Sequence, residues 1–585
     1  MCGEFLKNRG LFWACALLAL AEIACHKQTV GPPPRYAVLR FENLSGDPSL
    51  DWTARAASEM LSVSLADALD GPVLPSAALA RLTPILGPRP SAVPGISGER
   101  QEALVAGATR LISGYIERGY VERAGSQILI TAIEDDVSTG KTLRTWTAAD
   151  ASPLAALDRI TRQFSPHPRP APTSNATALR LYAIALESPI SASAGEMDEA
   201  TRADPNFGPA WVVLVNMELA RGDRGAAEDV IDRARRHKLD ALSLARLDLE
   251  QANLRPDQSA RIEAVRKVVS LSPGDTGLLR TLAETETAAG RFEASAADWK
   301  KLAAVVPDDP SGWNSLGYTL SYAGDYNGAM AAFREYARMR PKDANPYDSI
   351  GDLAYSFRRF KEAADNYMRA HDAQPDFEQY GDLFKAAWAK FNAGDKPGAD
   401  ALFSRFRAER EKLANELIPL IAADWLYRTG RRSEALDALR ATVATTGSET
   451  IRANGYAQLT IWELLGHDRD RAAKDSLSIG PRLTDAPMLI ARFAALPSVP
   501  AAEWESRADR LIPPSMGALR PLALAYALIL DGKREAALPV WKRIVEGNAA
   551  TDFFSRALYA RLQGKPQGRP LVPDSAIFNP FLALL

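Results

Sequence analysis

Across most of the chain, apolar and polar positions follow the spacing of paired amphipathic helices. Between residues 174 and 565, apolar residues recur at intervals of three and four positions, which is the spacing of one helix face. Prolines 34 residues apart follow every second segment and are Pro273, Pro307, Pro341 and Pro375. Proline ends a helix because it lacks a backbone N–H and its ring clashes with the preceding turn. The pattern therefore predicts antiparallel helix pairs in tandem.

The clearest repeat carries residues of defined size at defined places, namely Trp313, Leu316, Gly317, Ala329, Phe333 and Pro341. The small residues Gly317 and Ala329 let the two helices approach, while Leu316 and Phe333 fill the space between them. Period and residues together are similar to those of tetratricopeptide repeats (TPRs) over roughly 174–565. Because one helix pair cannot bury its apolar faces alone, neighbours must stack. We expect a mainly α fold, a TPR solenoid of about nine to ten helical hairpins.

A small domain precedes this array, and an irregular segment interrupts it. Residues 36–165 mix strand-like and helix-like segments, which predicts a small α/β domain. Residues 166–173 have proline at every second position and indicate a stiff, extended linker. We place the TPR array at 174–480, an irregular interruption with six prolines at 481–515, and a C-terminal TPR-like repeat and cap at 516–585.

The sequence YAVLRFENLSGDPSLDW, which begins at Tyr36, resembles the opening of TolB amino-terminal-like domains. Those domains start with a hydrophobic strand, then Phe-x-Asn-x-Ser-x-Asp-Pro, then an aromatic-led helix. Further matches follow at Gly114, Gly125, Ile128, Ile130, Thr139, Gly140 and Trp146. Arg40 and Ala56 depart from the proline and glycine that are usual there. The family often links a cyclase, kinase or winged-helix output to TPRs; no such module is visible in this sequence, and the resemblance implies no defined chemistry.

Residues 1–25 have the pattern of an export signal. Lys7 and Arg9 precede the apolar run Leu11–Ala21, and small residues follow it. This run is shorter than the roughly 20 residues that a membrane-spanning helix needs. We therefore interpret the segment as a signal peptide.

The end of the signal, Glu22-Ile23-Ala24-Cys25, resembles the cleavage box of bacterial lipoproteins. In that family the cysteine after a small residue is lipidated and becomes the mature amino terminus. Glu22 departs from the usual aliphatic residue, and cleavage at an ordinary signal peptidase site nearby is the alternative. The resemblance implies lipidation of Cys25, a tether at 26–35 and a lipid-anchored protein of the cell envelope. His26 stands where inner-membrane retention uses aspartate, which favours the outer membrane, facing the periplasm.

Composition and motifs argue against several kinds of chemical site and against a nucleic-acid partner. Cysteine occurs only at Cys2, Cys15 and Cys25, so the body can hold neither a disulfide nor a cysteine zinc site. A formal net charge of −2 argues against a nucleic-acid partner. The five histidines lack metal-pair spacing, and the sequence has no nucleophile elbow and no dinucleotide glycine fingerprint. The phosphate-loop-like stretch at Ser138–Thr142 lacks the upstream glycine and predicts a hairpin turn. We expect no catalytic residue, no metal and no cofactor.

The first helices of stacked TPRs line a groove, and the best-preserved repeats supply the candidate binding residues. These are Asn314, Tyr318, Tyr322, Asp348, Asp352 and Tyr355. Tyrosine offers apolar area with a polar tip, and asparagine can bond a peptide backbone. The alternative is that some of these side chains only pack between repeats.

The leading hypothesis for function is a non-catalytic scaffold of the bacterial envelope that binds a protein or peptide partner in the TPR groove. The alternative is a sensory or regulatory component that acts with a separate kinase or cyclase. A hydrolase hidden in the first domain has no motif to support it. Fold alone does not decide between these classes.

Overall fold

The computed structural model describes residues 33–66, 69, 71–74, 95–121, 125–164, 168–188, 190–255, 257–480, 486–548, 550–565, 568–574 and 579–585. Within these residues, no helix combines the length and the apolar character needed to cross a bilayer. The chain divides into two compact units. One comprises residues up to Leu282 and Lys301–Pro307, and the other comprises Ala283–Lys300 and Asp308–Leu585.

The first unit begins with a mixed sheet. Its strands are β1 (Tyr36–Val38), β2 (Glu42–Asn43), β3 (Val73–Leu74), β4 (Arg110–Val121), β5 (Gly125–Asp136) and β6 (Thr142–Asp150). The order is β3-β1-β4-β5-β6, with β2 also paired to β4. β1 pairs with β3 and β4 in parallel, whereas β4, β5 and β6 form an antiparallel meander. Three helices complete the predicted α/β domain: α1 (Asp51–Leu65), α2 (Gly95–Val105) and α3 (Pro153–Phe164).

Helix pairs follow directly in the same unit. They are α4 (Ala176–Glu187), α5 (Ile190–Ala203), α6 (Gly208–Ala220), α7 (Arg224–Ala234), α8 (Ala241–Asn253) and α9 (Gln258–Leu271). Side chains of the residues just before α4, α7, α8 and α9 accept backbone N–H bonds and cap those helices, as short polar residues do well. One apolar core runs from Tyr36 in the sheet to Leu254 after α8. The sheet domain and the first repeats therefore share a single interior.

A buried ion group reinforces this shared interior. Arg55 of α1 donates to Glu99 over 2.6 Å and to Glu187 of α4 over 2.5 Å. Burial works against the charged guanidinium, but Glu99 and Glu187 raise the pKa of Arg55 above its ordinary value. Arg40 lies 3.2 Å from the same Glu187. Both arginines thus join the sheet domain to the first repeat.

The second unit holds most of the repeats. Its helices are α12 (Pro310–Ala323), α13 (Tyr326–Met339), α14 (Asn345–Ser356), α15 (Phe360–Ala373), α16 (Gly381–Asn392), α17 (Lys396–Lys412), α18 (Ile418–Arg428), α19 (Arg432–Thr445), α20 (Glu449–Leu465), α21 (Arg469–Ser476), α22 (Ala486–Ala494), α23 (Ala501–Leu511), α24 (Arg520–Leu530), α25 (Arg534–Gly547) and α26 (Phe553–Leu562). α10 (Thr276–Ala288) and α11 (Phe292–Val305) are divided between the units. The prediction of a mainly α solenoid of about nine to ten hairpins after a small α/β domain is confirmed.

Residues 481–515 differ from the expected irregular interruption. The described part forms α22 and α23, and Met488, Phe493 and Trp504 of these helices are buried in the core of the second unit. The described prolines lie at helix starts and in connections, since Pro487 follows the first residue of α22 and Pro500 precedes α23. Proline is tolerated there because the first helical N–H groups have no partner inside the helix.

Close helix crossings in α12–α13 and α14–α15 depend on glycine. A Cβ on Gly317 would lie 2.4 Å from the ring of Phe333, and one on Gly351 would lie 2.5 Å from the ring of Tyr367. Both aromatic rings are fully buried. Each ring therefore occupies the space that any larger residue would need.

We expect Gly351→Ala to lower the free energy of unfolding by about 1–3 kcal/mol, because the added methyl overpacks a filled core. Gly547→Ala is the matched control, since no atom lies within 4 Å of its Cβ position at the exposed end of α25. Its effect should stay within about 0.5 kcal/mol. Urea denaturation followed by circular dichroism measures both, and equal stabilities would contradict the prediction.

Candidate binding site

Two adjacent helices of the second unit carry all six predicted binding residues. Asp309 caps α12 by accepting the N–H of Ser311, and Gly324 ends it in the left-handed conformation. Asn314, Tyr318 and Tyr322 lie on α12, and Asp348, Asp352 and Tyr355 lie on α14. Spacings of three and four residues place side chains on one face of each helix. The structure therefore brings the predicted residues together on one pair of neighbouring faces.

Four of the six join one hydrogen-bonded network. The Tyr318 hydroxyl donates to Asp352 over 2.9 Å and lies 3.3 Å from the hydroxyl of Ser349. Ser349 in turn donates to the Asn314 carbonyl oxygen over 3.0 Å. Burial, followed by the nearby charges of Asp352 and Asp348, raises the pKa of Tyr318 well above its ordinary value. The tyrosine therefore stays a neutral donor that fixes Asp352 in place.

The next repeat contributes a buried cation to this network. Lys385 of α16 donates to both carboxylate oxygens of Asp348, over 2.8 and 2.9 Å, and to Asp352 over 3.3 Å. Glu378 lies 3.7 Å away, and the Tyr367 hydroxyl also donates to Asp352. Burial opposes the charge on Lys385, but Asp352 and Asp348 raise its pKa. Three helices, α14, α15 and α16, are thereby joined through charge-assisted bonds.

A fourth carboxyl group in this cluster has no donor. Asp382 is 2% exposed, and neither of its carboxylate oxygens accepts a hydrogen bond. Its carboxyl faces that of Asp348, so a proton on one of them would bridge the pair. Burial raises the pKa of Asp382 to about 7, although Asp348 and Lys385 act to lower it. At neutral pH the pair therefore holds a proton for much of the time.

The chain enters this cluster through a strained turn. Glu378, Gln379 and Tyr380 have φ of 46, 54 and 67°, a region that residues with a Cβ rarely occupy. The buried Arg410 of α17 donates to the carbonyl of Gln379. The turn leads directly into α16 and so sets the positions of Asp382 and Lys385.

The two remaining tyrosines make separate contacts. Tyr355 is buried, its hydroxyl accepts from Asn392 over 2.9 Å, and its ring meets Phe360 edge to face. Tyr322 is half-buried between the rings of Phe292 and Phe553, at 5.5 and 4.9 Å. Neither of these tyrosines bonds to the Asp352 network.

Asp348 and Tyr355 therefore correct the groove assignment. The repeat pattern predicts that both side chains face the groove, but both are buried, and α16 supplies Lys385 and Asn392 as their partners. For these two residues, packing between repeats, the alternative left open above, is what the structure shows. Asn314, Tyr318, Tyr322 and Asp352 keep part of their surface accessible, and their role in binding stays a prediction.

Sequence reasoning missed Lys385 and Asp382, although the repeat contained a signal for the lysine. Lys385 stands 34 residues after Gly351 and 68 after Gly317, where both better-preserved repeats need glycine. A long cationic side chain does not fit into the helix crossing at such a position. Here the Lys385 side chain extends away from the crossing and donates to the carboxylate of Asp348. Asp382 gave no comparable signal, because its burial depends on the turn before it.

Two further predictions concern a metal site and the lipidation site. Within the described residues, no group of three or more His, Cys, Asp or Glu side chains is arranged to hold a metal ion. The acidic cluster is instead neutralised in part by Lys385. Cys25, the predicted lipidation site, lies outside the described residues, as do the signal peptide and most of the tether.

Comparison with known proteins finds partial similarity among solved structures. No family model matches the chain, and no curated protein matches it. A crystal structure of the MamA protein is 18% identical over 30% of this chain and 94% of that chain, with a TM-score of 0.26. The C-terminal part of a TPR repeat-containing protein from Cytophaga hutchinsonii is 14% identical over 40% of this chain and 94% of its own, with a TM-score of 0.33.

YrrB, described as a TPR protein with an unusual peptide-binding site, is 14% identical over 31% of this chain and 94% of its own, with a TM-score of 0.28. Each overlap spans less than half of this chain. The TPR assignment therefore rests on the chain's own helix pairs and 34-residue spacing.

Asp382→Asn should change the pH dependence of stability. Between about pH 4 and pH 7 the unfolded chain releases the Asp382 proton while the folded chain retains it, so wild-type stability falls as pH rises through this window. The variant lacks this loss and should be more stable than wild type by about 4 kcal/mol at pH 8, with little difference near pH 4. Urea denaturation at several pH values measures this, with the exposed Asp376→Asn as control. Parallel pH profiles for wild type and Asp382→Asn would refute the assignment.

Proposed function

We propose that the protein is a non-catalytic scaffold of the bacterial envelope that binds a protein or peptide partner on the face formed by α12 and α14. The observation that carries this proposal is the network around Asp352, in which partly accessible side chains are held by hydrogen bonds. Side chains that are already fixed lose little conformational freedom when a partner binds. Tyr318 and Tyr322 add aromatic area, which is common at interaction sites.

The envelope location rests on the amino-terminal sequence. A lipid on Cys25 would anchor the chain to a membrane, and residues 26–35 would tether the body to it. We place the protein at the outer membrane, facing the periplasm, with the repeats available to a periplasmic partner.

The partner proposal is tested by affinity capture of the lipidated protein from membranes, identification of the partner by mass spectrometry, and direct titration. Tyr322→Ala should weaken the purified partner's affinity about thirtyfold, since truncating an aromatic anchor commonly costs about 2 kcal/mol. Tyr347→Ala is the matched control on α14, because that tyrosine packs beneath Arg369, 4.5 Å from its ring, and bonds the Pro341 carbonyl. With helicity intact in both variants, unchanged affinity for Tyr322→Ala would overturn the assignment of this face.

The lipid anchor is tested separately by intact-mass analysis of membrane-extracted protein. We expect a mature chain that begins at Cys25 and carries the mass of its acyl chains. Cys25→Ser should abolish both the added mass and membrane retention, whereas Cys15→Ser should leave mature protein unchanged because residue 15 lies in the removed segment. An unmodified mature chain that starts at another residue would rule out lipidation.

A further inference from the structure

A segment near the end of the chain returns to the helices that carry the candidate site. Residues 568–574, Gly-Arg-Pro-Leu-Val-Pro-Asp, form neither helix nor strand and are here called the C-terminal strap. The strap follows α26 and contacts residues that precede it by more than 200 positions. Two prolines in seven residues favour an extended backbone. The strap thus lies on the repeats as a peptide ligand would.

Arg569 lies against two turns of the repeats, the one that follows α12 and the one that follows α14. Its guanidinium donates to the carbonyl of Ser321, near the end of α12, and lies 4.3 Å from the ring centre of Phe357 at the end of α14. A Cβ on Gly324 would lie 3.2 Å from the same guanidinium. Carbonyl oxygens and the negative end of the dipole at a helix C-terminus favour a cation, and an aromatic face does the same. The seat, defined as Ser321, Gly324 and Phe357, is therefore suited to an arginine side chain.

The contacts of Arg569 allow an arginine from another chain to take its place. Within the described part of the chain, no carboxylate lies within ion-pair distance of its guanidinium, and the residue remains exposed. Arg358 adds one bond to the Gly568 carbonyl over 3.0 Å. A second arginine on an incoming chain can reach the seat from solvent once Arg569 leaves it.

The remainder of the strap supplies apolar contact. Val572 packs against the aromatic core of α16–α18, and Pro573 is buried. Beyond the strap, Phe581 stacks on Tyr526 of α24 at 4.0 Å between ring centres. The strap therefore lies between two packed parts of the chain, α26 before it and Phe581 after it.

We propose that the C-terminal strap is a ligand in cis, and that the seat of Arg569 binds an extended segment of the partner in which arginine is followed by proline and aliphatic residues. Partner binding displaces the strap from the seat. This inference rests on the proposed function as a binding scaffold, and it adds the chemistry of the partner. The seat lies at the end of a helix that carries part of the candidate face, because Ser321 and Tyr322 both belong to the last turn of α12.

A fluorescent peptide with the sequence of residues 568–574, titrated onto the purified full chain by anisotropy, tests the proposal. Arg569→Ala vacates the seat in cis and should bind the peptide about tenfold more tightly than wild type does, since the cation–ring and carbonyl contacts no longer compete. Adding Phe357→Leu, which keeps apolar volume and removes the aromatic face, should abolish this gain. A peptide with alanine in place of arginine should not bind.

Several results would overturn the proposal. Equal affinity of the peptide for wild type and Arg569→Ala would show that the strap does not compete for the seat. A gain that survives Phe357→Leu would place the peptide elsewhere. A wild-type dimer that becomes monomeric on Arg569→Ala, measured by light scattering, would make a second copy the occupant. If the captured partner binds the wild-type protein and Arg569→Ala with equal affinity, the strap proposal fails while the scaffold function stands.

Discussion

Each well-preserved repeat depends on one helix crossing, where a glycine on the first helix faces an aromatic ring on the second. At Gly317 and Gly351 the rings of Phe333 and Tyr367 fill the space that a side chain would occupy. This contact fixes the separation of the two helices, and so decides which side chains of the first helix reach the neighbouring repeat. The Asp352 network exists because α12, α14 and α15 are held at that separation.

At the third equivalent position, residue 385, lysine replaces glycine. The Lys385 side chain extends away from the crossing of its own helix pair, and its ammonium group donates hydrogen bonds to Asp348 and Asp352. A buried ion pair contributes little net stability, because desolvation offsets much of the attraction. In the observed register of α14 against α16, Lys385 bonds both aspartates, and a shift in register would leave these buried charges unpaired. The strained turn at Glu378–Tyr380 is tolerated in that register.

The repeats, the sheet domain and the helix pairs could be predicted from the sequence alone, because these follow from local periodicity and from small residues at fixed spacing. The burial of Asp348 and Tyr355 could not be predicted, because their partners, Lys385 and Asn392, come from a repeat whose pattern had drifted. The helices of residues 481–515 were missed because proline was counted as a breaker without regard to its place at a helix start. Long-range contacts such as those of Arg569 have no periodic signature at all.

The proline-rich stretch before α4 suggests a joint, yet the interior continues across it. Its described residues, 168–173, are tied to the repeats through Arg169, which donates to the Leu271 carbonyl, and Thr173, which donates to Asp204. Arg55 and the apolar core join α1 to α4 directly. Recombination that cut the gene at this stretch would leave two products with exposed apolar faces and would separate Arg55 from Glu187, one of the carboxylates that it bonds. The sheet domain and the first repeats therefore form one heritable module, and homologous exchange between such proteins should preserve them together.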